Sequence, residues 1–147
     1  MSAHASRLLA AAFAAGVWST PLFAKECHAP DARAQERAFS RAVTTQGGRT
    51  VWLGGQTGSP TSSFDDQVRE IFAELEKTIK AVGGTGLKDI TTMTVFITDA
   101  RLGDRLTQIR KETFKECFPA SALISVSGLA RPGLLIEIQG VAVVGEK

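Results

Sequence analysis

The chain reads as one α+β domain in which two amphipathic helices cover a single face of a mixed β-sheet. Three observations predict this. At 147 residues and 44% apolar content, the chain suffices for one compact core and not for two. Alternating and helical periodicities follow each other in the order ββαβαββ, with no internal repeat longer than βαβ. The closing strands place apolar residues on both faces (Leu123, Ile136, Ile138 and Val141), and one helical layer covers only one of them. The uncovered face implies self-association.

The first residues read as an export signal, residues 1–24. Arg7 supplies a positive start, Leu8–Val17 is a ten-residue apolar run, and Ala24 ends the Pro21-Leu22-Phe23-Ala24 cleavage region. Ten apolar residues fall well short of the roughly 20 that span a bilayer, so no membrane association is expected after cleavage. The mature protein is then periplasmic or secreted. Residues 25–38 (KECHAPDARAQERA) are polar and without period, and read as a linker or loosely packed arm before a domain over 39–147. In an oxidising compartment Cys27 and Cys117 are either a disulfide or two free thiols. Neither has a second Cys or His at ligand spacing. His28 stands alone and His4 leaves with the signal, so no metal site, histidine base or cofactor is expected.

Within the domain, Phe39–Val43 and Arg49–Leu53 read as short strands around a Gln46-Gly47-Gly48 hairpin turn, and 54–63 as a loop. Ser63 with Asp66 three residues later is a capping-box signature. Val68, Ile71, Phe72, Leu75, Ile79 and Val82 then share one helical face, and Gly83-Gly84 ends the helix. In 90–97, Met93, Val95 and Ile97 alternate with Thr92, Thr94 and Phe96, as a strand does. A second helix spans 102–116 with Leu102, Leu106, Ile109 and Phe114 inward. Strands at 122–126 and 134–144 close the chain around an Ala130-Arg131-Pro132-Gly133 turn.

Several segments, in this order and spacing, resemble the RidA (YjgF/YER/L-PSP) family. They are Phe39-Ser40-Arg41-Ala42-Val43, Val51–Gln56 with Gly54-Gly55-Gln56, Asp89–Phe96, Pro119-Ala120-Ser121-Ala122 and Leu134–Ala142. The resemblance implies a chorismate-mutase-like fold, a homotrimer whose sheets enclose a barrel, and a ligand pocket between subunits. In active members an Arg of Pro-Ala-Arg-Ser clamps a substrate carboxylate by a bidentate bond. A Tyr and a Ser contribute hydrogen bonds, and a Glu of the last strand positions or activates water. Carried over, the Arg falls on Ser121, the Tyr on Phe39, the Ser on Gly54 and the Glu on Glu137. A glycine whose backbone N–H faces the pocket falls on Gly55. Three of four polar side chains are lost.

Glu137 is read as the catalytic or pocket carboxylate, with a solvent-facing strand residue as the alternative. Ser121 is a pocket residue or an interface strand residue. Arg41 and Arg131 are candidates to replace the lost cation, or plain exposed charges. Two functions follow: a small-molecule binder for a carboxylate or imine with little or no turnover, or an imine and enamine deaminase using Glu137 and a water. Seventeen basic against 15 acidic residues, with no basic tract or stacking aromatics, give no nucleic-acid footprint. N-terminal sequencing of the protein recovered from the periplasm should start near Lys25; a chain still beginning at Met1 contradicts the signal.

Overall fold

The computed structural model describes residues 24–145. Residues 1–24, read from the sequence as an export signal, lie outside the described residues apart from Ala24. The chain enters on β1 (Ala24–His28), antiparallel to β2 (Ala42–Gln46), with Cys27 level with Val43. Between them, α1 (Ala32–Glu36) starts at Asp31, whose carboxylate accepts from the Ala34 N–H at 2.8 Å. Residues 25–38 are therefore a strand and a short helix, which corrects their reading as a loose arm. Their order does not come from an apolar stripe. It comes from backbone pairing with β2 and from a Cys27–Cys117 disulfide, Cα atoms 5.2 Å apart.

The main sheet has four strands: β3 (Arg49–Thr57), β4 (Ile90–Ile97), β5 (Ala120–Ser125) and β6 (Ile136–Val144). Their spatial order is β3-β6-β4-β5, antiparallel except for the parallel β4–β5 pair. Two pairings differ from the sequence expectation. Gly47 and Gly48 do turn the chain, with φ of 70° and 82°, but β2 then pairs with β1 and β3 with β6, so no hairpin forms. Likewise β5 and β6 do not pair around the Ala130–Gly133 turn; both flank β4. The ladders are completed by other partners: β1 takes β2, β6 takes β3, and β4 takes both β5 and β6. The expected 54–63 loop is also shorter, since β3 continues to Thr57.

Helix α2 (Phe64–Ala81) starts at the Ser63 cap, which accepts from the Asp66 N–H at 3.2 Å. Its far end closes as the glycines predict: Gly83 takes a φ of 92° and the Gly84 N–H reaches the Ile79 carbonyl at 2.9 Å. Val68, Ile71, Leu75 and Ile79 are buried on Met93, Val95 and Ile97 of β4 and on Ile136 and Ile138 of β6. Each such side chain contributes roughly 1.5–3 kcal/mol by leaving water. Helix α3 (Gly103–Phe114) adds Leu106 and Ile109 and sets Phe114 edge-on against Phe72 at 5.5 Å. Asp65 and Arg105 tie α3 to α2, with Arg105 Nε 2.9 Å from each carboxylate oxygen.

Both helices thus occupy one face, as predicted. On the other face Trp52 is 82% exposed and Ile124 43% exposed. Replacing Cys27 and Cys117 by serine should cost about 2–5 kcal/mol, because the bridge closes a long loop and holds β1 in place. Urea unfolding with and without reductant checks this; coincident midpoints contradict it.

Candidate functional site

The strand period of two decides which side chains can meet. In β6, Ile136 and Ile138 turn to the helices, so Glu137 turns to the opposite face. It is level with Thr57 on β3 and Phe96 on β4. Beside it the β3–β6 register slips, since Leu53 faces Gly140 and Gln56 faces Ile138. Gly54 and Gly55 take up the extra residue as a bulge. The bulge presses backbone onto the carboxylate: a Cβ on Gly55 would lie 2.1 Å from Glu137 Oε1. Only glycine admits that approach. Gly54 has open space around it. Half-buried Glu137 makes no side-chain hydrogen bond or ion pair among the described residues, so its oxygens are free to accept.

Ser121 is in a second place. It pairs in register with Met93, and Leu123 with Val95, so both turn to the helical side of the sheet. Arg110 of α3 meets it there, Nη2 donating to Ser121 Oγ at 2.7 Å. Arg110 is 4% exposed, and its Nε is buried without a partner. Burial, and then the nearby charge of Arg37, draws its guanidinium down to about 10, still protonated at neutral pH. Next to β5, Ser40 is buried; it donates its hydroxyl to the Phe118 carbonyl at 2.5 Å and bridges Ala120. This places Phe39 alongside the start of β5.

Of the two substitute cations, Arg41 is engaged elsewhere. Its Nε lies 2.9 Å from Asp31 and its guanidinium sits over the Phe39 ring at 5.3 Å. Arg131 is exposed in the turn before β6. The cation at the Ser121 position is Arg110, which sequence reasoning missed. Its signal was present: it is four residues after buried Leu106 and four before Phe114, a charge on an apolar helical face. A separate cavity of about 580 Å³ lies between β1 and the end of α3, lined by Lys25, Leu87, Phe114, Lys115 and Cys117. None of the site residues lines it. Among the described residues no cluster of His, Cys, Asp and Glu could hold a metal ion, and no helix is long and apolar enough to cross a membrane.

The helix-backed mixed sheet has the α+β fold of solved Rid-family structures. Residues 28–144 match the family described as Endoribonuclease L-PSP, and the chain belongs to that family. It is 30% identical to the human 2-iminobutanoate/2-iminopropanoate deaminase over 113 residues, covering 73% of this chain and 80% of the relative. It is 28% identical to Protein DfrA of Myxococcus xanthus, covering 81% and 95%. Among solved structures, a Rid-family protein of unknown function from Yersinia pestis superposes with a TM-score of 0.72 at 21% identity, covering 82% of this chain and 98% of that one. That likeness bears on the fold alone.

Gly55→Ala should push the Glu137 carboxylate aside. Because the displaced atoms end a flexible side chain, the cost should be small, about 1 kcal/mol. Urea unfolding and a crystal structure of the variant check this; an unmoved Glu137 contradicts it.

Proposed function

We propose that this protein is a homotrimer that binds a small carboxylate or imine metabolite in a cleft between subunits, with weak or no deaminase activity. The observation that carries the reading is the separation of its site residues within one chain. Ser121 is on the helical side of edge strand β5 and Glu137 on the opposite side of β6. Ile124 is the β5 residue level with Phe96 and Glu137. Ser121 is therefore about 10 Å along the strand and two strands, about 10 Å, across from the carboxylate. No small ligand touches both in one subunit, whereas a second copy against β5, whose Leu123 and Ile124 are exposed beyond the Ser40 bridge, can bring its own Glu137 there. Exposed Trp52, Leu123 and Ile124 supply apolar surface for that contact.

Catalysis is the weaker half of the same chemistry. Hydrolysis of an imine adds water to the C=N carbon and expels ammonia, leaving a keto acid. Glu137 offers a free acceptor for the water's proton. What is missing is a guanidinium on the strand itself to lock the substrate's carboxylate in a fixed pose, and positioning contributes much of such a rate. Relatives that are named deaminases keep the enzymatic reading as the second one. The Cys27–Cys117 bond supports a periplasmic or secreted setting, where disulfides persist.

Light scattering should return three chains per particle at micromolar concentration, and ammonia release from freshly generated 2-iminobutanoate should be at least tenfold slower than for the human relative assayed beside it. A stable monomer defeats the cleft; turnover equal to the human protein's, lost in Glu137→Gln, makes the chain a deaminase.

A further inference from the structure

Arg110 is a buried cation without a counter-ion. Among the described residues it forms no ion pair, and its neighbour Arg37 is already matched by Asp104. Its single side-chain hydrogen bond goes to Ser121, and one of its five N–H donors is buried with nothing to receive it. A guanidinium withdrawn from water with no carboxylate beside it is unfavourable. The uncompensated charge raises the positive potential at the atoms it touches, foremost the Ser121 hydroxyl. Because Ser121 Oγ accepts from Arg110, its own O–H is left to donate elsewhere, and Ser121 is only half-buried. A carboxylate accepting that O–H would feel a full positive charge immediately behind it, in surroundings that screen it poorly.

We infer that Arg110, acting through Ser121, is the positioning residue that selects carboxylates over neutral ligands in the cleft. The inference rests on the cleft reading above and deepens it, since it assigns the ligand a carboxylate. The clamp is then not lost from this chain but moved one layer back, from strand β5 to helix α3. Holding the charge behind a hydroxyl gives preference without the rigid two-pronged grip that a strand arginine provides. The competing account is that Arg110 merely braces α3 against β5. A brace would support stability and would not distinguish ligands by charge.

The test compares 2-oxobutanoate, the keto acid that hydrolysis of 2-iminobutanoate leaves, with its neutral amide, by calorimetry on the purified protein. Wild type should bind the acid at least tenfold more tightly than the amide. Arg110→Met should lose about that tenfold for the acid and little for the amide, a difference of about 1.4 kcal/mol. Arg110→Lys should recover part of it. Ser121→Ala, which leaves the buried cation in place and cuts the link, should also erase most of the preference, and it decides the matter with Arg110→Lys if Arg110→Met does not fold. Preference for the acid retained in Arg110→Met and Ser121→Ala overturns the inference. If Gly55→Ala weakens both ligands while those variants change nothing, the cleft stands and Arg110 is only a brace. Failure of wild type to bind either compound at millimolar concentration removes both the cleft and the clamp.

Discussion

The central position of β6 governs the rest of the structure. It is the only strand of the main sheet flanked by two antiparallel neighbours, β3 and β4. Its alternate residues Ile136 and Ile138 are fully buried beneath the helices. A one-residue slip would drive Glu137 into that core and expose both isoleucines, so burial fixes the register. Once it is fixed, the carboxylate must emerge on the uncovered face, and the bulge at Gly54-Gly55 can close over it. The loop leading into β6 is held by one buried amide. Gln67 of α2 donates to the Gly133 carbonyl at 2.9 Å and accepts from the Leu135 N–H at 2.9 Å. Helix, turn and strand are thereby tied at the end of β6 where Glu137 lies.

The residues that the family resemblance assigns to one inter-subunit pocket lie in two places within a subunit. Phe39 and Ser121 gather at the β5 edge, and Gly55 and Glu137 at the β3 bulge, with two strands between them. On the proposed reading, a single subunit therefore carries two half-sites rather than one pocket. The exposed apolar side chains on and beside the same surfaces give a physical reason for subunits to meet there. In this account, assembly completes the site, and the site's chemistry is set by which half carries charge. One half offers a carboxylate, the other a hydroxyl backed by a buried guanidinium.

Elements whose burial is one-sided were legible from the sequence. The α2 face from Val68 to Ile79, its Ser63 cap and its glycine stop appear where periodicity places them, because local chemistry and packing agree there. Strand β1 and helix α1 were not legible. Their residues are mostly exposed, and they are organised by pairing and a disulfide that leave no periodic trace. Strand partners were misread for a related reason: a turn of two glycines signals a reversal of the chain but not which ladder each arm joins. In the site, Glu137 stood out as a lone charge in an apolar strand. Arg110 was hidden because a long basic side chain on a helix is ordinarily solvated, and only its phase against Leu106 and Phe114 marked it as inward.

The most direct test of the account is a crystal structure of the assembled protein soaked with 2-oxobutanoate. The account predicts one ligand per interface, its carboxylate on the Ser121 hydroxyl of one subunit with Arg110 behind it, and its carbonyl end toward Glu137 and Gly55 of the neighbour. A ligand held within a single subunit, or with its carboxylate turned away from Ser121 and Arg110, would contradict it.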